Sequence, residues 1–173
     1  MLSLILGGAR SGKSAYAEQL ALESGLTVTY IATAQIYDDE FGIRVEHHQS
    51  RRPKDWKTVE VPHRLASVLR LEAETGRCLI IDCLTLWLAQ CICPECAPPE
   101  GVDWQAERAD LLSTLPSLPG KILLVSNEVG MGIVPLGEIN RRFQDEAGRL
   151  NQAVAEICNN VVLIAAGLPL KLK

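Results

Sequence analysis

Short apolar runs recur along the chain, separated by stretches in which apolar positions return at helical spacing. Leu2 to Leu6, Thr27 to Ala32, Cys78 to Asp82, Ile122 to Ser126 and Val161 to Ala165 are leucine-rich or β-branched runs, the form of strands buried on both faces. The intervening stretches predict helices over about Lys13 to Ser24, His63 to Thr75, Leu84 to Cys91, Trp104 to Leu115 and Leu136 to Asn159. This alternation predicts an α/β fold with a mostly parallel central sheet flanked by helices on both faces. Two segments do not fit it. Residues 33–62 are polar and turn-rich without sustained periodicity, and Cys93 to Asp103 is a connection broken by Pro and Gly. Long irregular loops in compact domains are often functional, so the first is where substrate chemistry is sought. There is no internal repeat.

Composition narrows the picture. A chain of 173 residues fits one domain, residues 1–173, with a sizeable core. A net charge of −4 argues against a general nucleic-acid or membrane-surface binder, which needs a basic face, and leaves room for a small anion held in a local pocket. No cationic leader with a cleavage site is present, and no apolar run is long enough to cross a bilayer, so the expectation is a soluble cytoplasmic protein. The first strand begins almost at Met1, which leads us to expect that nothing precedes it and that the chain is complete.

The first apolar run opens into Gly7-Gly8-Ala9-Arg10-Ser11-Gly12-Lys13-Ser14, a G-x-x-x-x-G-K-S phosphate-binding loop between a strand and a helix. Its glycines permit positive φ and close backbone approach, so successive N–H groups can face a β-phosphate. Lys13 reaches the β/γ oxygens, Ser14 offers its hydroxyl to Mg²⁺, and the helix directs the positive end of its dipole at the anion. Cys78-Leu-Ile-Ile-Asp82 has the form of a second nucleotide-site strand, a buried run ending in a carboxylate that holds Mg²⁺ opposite Ser14. A strand-ending Asp is also a common helix cap.

The segment from Arg44 to Pro53 gathers His47, His48, Gln49, Ser50, Arg51 and Arg52 within an acidic chain. Arginines supply forked donors to phosphate, and a neutral imidazole can take up a phosphoryl or nucleotidyl group. The bland alternative is a solvated basic turn. His63, beside Pro62 at a helix start, reads as structural. Of the six cysteines, Cys78, Cys83 and Cys158 lie in apolar runs and read as small core residues. Cys91, Cys93 and Cys96 place three thiols in C-x-C-x-x-C, one ligand short of a closed zinc site, and oxidation sensitivity is the safer expectation there.

Taken in order, the phosphate loop, Tyr30-Ile-Ala-Thr-Ala-Gln35, Asp38-Asp-Glu40, His47-His48 with Arg51-Arg-Pro53, and Trp56-Lys-Thr-Val-Glu60 form a distinctive series. It continues through Asp82-Cys-Leu-Thr85, Val125-Ser-Asn-Glu-Val-Gly-Met-Gly-Ile-Val-Pro135 and Arg141-Arg-Phe-Gln-Asp-Glu-Ala-Gly-Arg-Leu-Asn151. The series resembles the bifunctional adenosylcobinamide kinase/adenosylcobinamide-phosphate guanylyltransferases of cobalamin biosynthesis, over nearly the whole chain. The cluster from Cys91 to Cys96 is not part of that pattern.

The resemblance implies a P-loop NTPase-like, RecA-like fold and two reactions. ATP or GTP phosphorylates the hydroxyl of the aminopropanol arm of adenosylcobinamide; GTP then gives GMP to that phosphate, with pyrophosphate released. It also implies a guanylyl-histidine intermediate, which the family pattern R-I-x-x-H-x-x-x-R laid from Arg44 places on His48 rather than His47. Nucleotide contacts are implied for Thr33, Ala34, Gln35, Glu60 and Asp82, with Glu60 accepting from guanine. Arg51 and Arg52 are expected to hold phosphate. Asn127, Glu128, Gly130 and Gly132 are read as lining the phosphate or cobinamide site, and Arg141, Arg142 and Arg149 as meeting phosphate or another subunit. The family implies a homotrimer. A simple P-loop kinase and a nucleotide-sensing binding protein are the rival functions, and neither needs a covalent histidine.

Overall fold

The structure, a computed structural model, describes residues 1–34, 52–93, 98 and 100–173. Among the described residues, seven strands form one sheet: β1 (Leu2–Gly7), β2 (Thr27–Ala32), β3 (Lys57–Glu60), β4 (Arg77–Asp82), β5 (Lys121–Asn127), β6 (Asn160–Ala165) and β7 (Leu168–Lys171). Their order is β3-β2-β4-β5-β1-β6-β7. All pairs are parallel except β6 with β7, an antiparallel hairpin at one edge.

The strand interiors are apolar on both faces because both faces are covered. Alternate residues divide between two clusters. Leu2, Leu4, Leu6, Leu79, Ile81, Ile122 and Leu124 meet helices α2 (Leu65–Glu72), α3 (Leu84–Ile92), α4 (Trp104–Thr114) and α5 (Glu138–Ile157) on one side. Ile5, Val28, Tyr30, Ile80, Leu123, Val125 and Ile164 meet Ala17 and Ala21 of α1 (Lys13–Leu22) on the other. In α5 the buried residues Ala147, Leu150, Asn151 and Val154 recur at the helical period and form its inward stripe. Helix α4 starts where Asp103 caps it, its side chain accepting from the Gln105 and Ala106 amides at 2.9 and 3.2 Å.

All five expected strands and all five expected helices are present; β2 keeps both expected ends, and the others shift at one or both. Helix α2 is shorter at both ends than the expected His63 to Thr75 and begins after Arg64, whose φ is 54°. The expected final helix loses two residues at each end, to Gly137 at φ 86° and to the extended Cys158. Strands β3 and β7 were not expected. Both are edge strands with largely exposed side chains, so neither carries the apolar signature of a central strand, and Pro169 is tolerated because β7 has a free edge. Helix α3 carries the buried Cys91, which belongs to the core rather than to a cysteine-rich surface loop. Burial pushes that thiol up to about 12. Cys96 lies outside the described residues, and among those described no group of three or more His, Cys, Asp or Glu side chains is arranged to hold a metal.

Candidate active site

In a parallel sheet the loops after the C-terminal strand ends form the ligand-facing edge. Here that edge gathers the ends of β1, β2, β4 and β5. The phosphate loop leaves β1 at Gly7, turns through Arg10 at φ 57° and Gly12 at φ 99°, and enters α1 at Lys13. Gly7 is required by space: a Cβ there would stand 2.4 Å from Ser11 Oγ and 2.6 Å from the Ile164 carbonyl of β6. The loop is braced from behind by the β6–β7 turn, whose Gly167 amide donates to the Ser11 carbonyl at 2.9 Å. Gly8, Ala9 and Arg10 are exposed, as a loop that receives a ligand must be.

Lys13 is buried, and its ammonium donates to the Gly8 carbonyl at 2.9 Å. Burial lowers its affinity for the proton, and the nearby Cys83 and Asp82 partly oppose that shift. Asp82 ends β4, and β5 lies between it and β1, so loop and carboxylate are two strands apart. The Tyr30 hydroxyl, from β2, donates to Asp82 Oδ2 at 2.6 Å. Burial first, then the charge of Asp82, holds the Tyr30 phenol well above its ordinary range, so it stays a donor. The Arg52 guanidinium lies 3.4 Å from the centroid of the Tyr30 ring.

Thr33 fixes the turn after Asp82. Its hydroxyl donates to the Cys83 carbonyl at 2.7 Å and accepts from the Cys83 amide at 2.8 Å, across a cis Asp82–Cys83 peptide. The Gln90 amide of α3 donates in turn to the Thr33 carbonyl. At the end of β5 the Thr85 hydroxyl accepts from the Asn127 amide at 2.6 Å and pairs with Ser126 Oγ at 3.1 Å. The Glu128 amide donates to the Gly7 carbonyl at 3.0 Å, tying this segment to the phosphate loop.

Of the residues singled out from the sequence, the structure thus brings Gly7 to Ser14, Thr33, Ala34, Arg52, Asp82, Asn127 and Glu128 to one edge. Glu60 ends β3 and is exposed; it pairs with Ala32 and reaches the same edge. Gln35, His47, His48, Gln49, Ser50 and Arg51 lie outside the described residues. Arg141 and Arg142 are exposed, and Arg149 is engaged by Glu146 Oε1 on its own helix at 2.6 Å. Tyr30, Thr85, Ser126 and Gln90 were given no role from the sequence. Tyr30 and Thr85 stand inside two of the distinctive blocks, but only the fold shows what they touch.

The donor set suits Mg²⁺. Ser14 and Asp82 offer hydroxyl and carboxylate oxygens, the hard ligands that ion takes, and Tyr30 commits only one of the two Asp82 oxygens. A cavity of about 180 Å³ bounded by His63, Arg64, Glu100, Asp103 and Glu107 shares no residue with this edge.

Residues 3–172 match the family described as cobinamide kinase/cobinamide phosphate guanyltransferase. The bifunctional adenosylcobalamin biosynthesis protein CobP of Pseudomonas aeruginosa is 58% identical over 173 residues, spanning 100% of this chain and 98% of that protein. The corresponding protein CobU of Escherichia coli is 38% identical over 182 residues, with both chains fully covered. Among solved structures, the RadB recombinase shares 13% identity at a TM-score of 0.51 over 94% of this chain and 73% of its own. An ATPase from a type III secretion system gives the same identity and score over 98% and 56%. These distant likenesses carry the fold, a RecA-like P-loop architecture. The loop, the carboxylate-ended strand and the full-length match to both curated relatives together make this chain a member of the cobinamide kinase/cobinamide phosphate guanyltransferase family of bifunctional transferases.

Proposed function

We propose that this chain phosphorylates adenosylcobinamide with ATP or GTP, and then transfers GMP from GTP to adenosylcobinamide phosphate through a guanylyl group on His48. The product is adenosylcobinamide-GDP. The observation that carries the reading is convergence at one sheet edge. The phosphate loop, Asp82 and the described residues on either side of the His48 segment, Thr33-Ala34 and Arg52, all meet there.

In the kinase step Lys13 and the loop amides bind the β/γ-phosphates, and the substrate hydroxyl attacks the γ-phosphorus as the nucleoside diphosphate leaves. In the transfer step neutral His48 attacks the α-phosphorus; an N–P bond forms, and the bond to pyrophosphate breaks while Lys13 and the loop amides stabilise the departing charge. A phosphate oxygen of the substrate then displaces the imidazole, which leaves with a proton. Arg51 and Arg52 hold the reacting phosphates. Glu60 accepts from the guanine N1–H and amine, and Thr33, Ala34, Gln35, Gln49 and Ser50 complete the nucleotide contacts. Ser14 and Asp82 would hold Mg²⁺, which would supply charge neutralisation for the phosphates. Both steps are placed on one domain, residues 1–173, in the cytoplasm.

The homotrimer implied by the family is in keeping with an exposed apolar run that has no cover among the described residues and suits association with another copy. Met131, Ile133, Val134 and Leu136 are 67–95% exposed in the connection from β5 to α5. No helix among the described residues is long and apolar enough to cross a membrane.

The test is to incubate the protein with Mg²⁺ and α-³²P-GTP without cobinamide. Label retained after denaturation, stable to base, lost in acid and absent from His48→Ala is the expected result. Protein that binds GTP yet takes up no label overturns the covalent mechanism and favours a simple kinase or a sensor. Label that survives in His48→Ala moves the nucleophile to His47.

A further inference from the structure

Tyr30 lies at the centre of this edge, and none of the chemistry above uses it. It is 2% exposed in β2, with its hydroxyl on Asp82 Oδ2 at 2.6 Å and its ring face under Arg52 at 3.4 Å. No ion pair joins Arg52 to Asp82. Two guanidinium nitrogens of Arg52, Nε and Nη1, are buried without an acceptor among the described residues. Buried donors left unpaired are costly and call for a partner, and the natural partner of a guanidinium is a phosphate or carboxylate.

A carboxylate and a guanidinium brought to one place ordinarily neutralise each other. Here the hydroxyl satisfies part of the carboxylate and the π-face part of the guanidinium, so each keeps unspent capacity. We propose that Tyr30 is a positioning residue that holds Asp82 ready for Mg²⁺ and Arg52 ready for a nucleotide phosphate while keeping the two from pairing. The proposal rests on the reading of Asp82 as a metal-site carboxylate.

The experiment follows the binding of a fluorescent GDP analogue to the full chain as Mg²⁺ is titrated. Tyr30→Phe keeps the ring and the seat of Arg52 and removes only the hydroxyl. It should raise the Mg²⁺ midpoint about tenfold, the scale on which hydrogen-bond partners of metal ligands act. Affinity in EDTA should stay within about twofold of wild type, since the Arg52 seat is kept. Asp82→Asn should raise the midpoint similarly, and the double variant should go no further, because both act through one carboxylate. A midpoint unchanged in Tyr30→Phe but raised in Asp82→Asn overturns the role of Tyr30 alone. A midpoint unchanged in both overturns the metal reading of Asp82 and the role of Tyr30 with it.

Should Tyr30→Phe not fold, the wild-type chain decides. It has three tyrosines, so ring-carbon NMR of labelled protein gives three signals, assigned through Tyr16→Phe and Tyr37→Phe. Mg²⁺ added to the GDP complex should move the Tyr30 signal. A signal that stays in place overturns the proposal.

Discussion

Replacing Gly7 with alanine puts a methyl carbon 2.4 Å from Ser11 Oγ and 2.6 Å from the carbonyl of Ile164. The two contacts differ in kind. Ser11 Oγ has no hydrogen-bond partner among the described residues and can rotate away. The Ile164 carbonyl belongs to β6, which pairs with β1 at this very residue, so β1 and β6 must part by several tenths of an ångström. Overpacking of this size costs about 2 kcal/mol, which for a chain of this length lowers Tm by roughly 4–8 °C. The displaced loop should also lose GTP affinity. Gly8 is the control, because a Cβ there meets nothing within 4 Å. Urea denaturation and thermal melting of Gly7→Ala and Gly8→Ala make the comparison. Stability of Gly7→Ala within about 0.5 kcal/mol of wild type, the spread of neutral surface changes, would refute the reasoning, as would an equal loss in Gly8→Ala.

Three further outcomes follow from the same edge and core. Thr33→Val removes both bonds to the Cys83 backbone and strands a buried amide and carbonyl, costing about 2–4 kcal/mol in urea denaturation, whereas Thr33→Ser should recover most of it. Cys83, Cys91 and Cys158 are each held at about 12 by burial, against an ordinary 9. Raised thiols favour the folded state fully below about pH 9 and lose that contribution as pH climbs towards 12, so the urea midpoint should fall across that window and these thiols should react with a disulfide reagent only after unfolding. Lys13→Met keeps the length of the side chain and removes a buried charge; phosphoryl transfer should drop about a hundredfold or more while urea stability holds.

The central strands were legible because burial on both faces leaves an unbroken apolar run, and the phosphate loop because its spacing is set by backbone geometry. Edge strands carry no such constraint. Lys57-Thr-Val-Glu60 has one apolar residue, and Leu168-Pro-Leu-Lys171 reads as a proline-broken tail until β6 is there to pair with it. At the site, Lys13 and Asp82 declared themselves through local motifs. Tyr30 did not, since in the sequence it is one more aromatic residue in a strand, and its importance comes from facing Asp82 across 52 positions of chain. The contacts of Thr85 with Ser126 and Asn127, and of Gly167 with Ser11, are likewise products of topology.

The place of β1 between β5 and β6 bears on how the chain emerges from the ribosome. The strand nearest the amino terminus is made early, yet Leu2 pairs with Ile122 and Ser3 with Asn160, and the loop it carries leans on Gly167. A nascent chain therefore exposes part of its apolar first strand until residues 160–167 have been translated. Pairing over such separations is slow and open to aggregation. Nucleotide cannot help the early chain fold, because the cradle that would grip it is not braced until β6 and Gly167 have been made. Yield in the cell should accordingly depend on chaperone capacity more than on nucleotide supply.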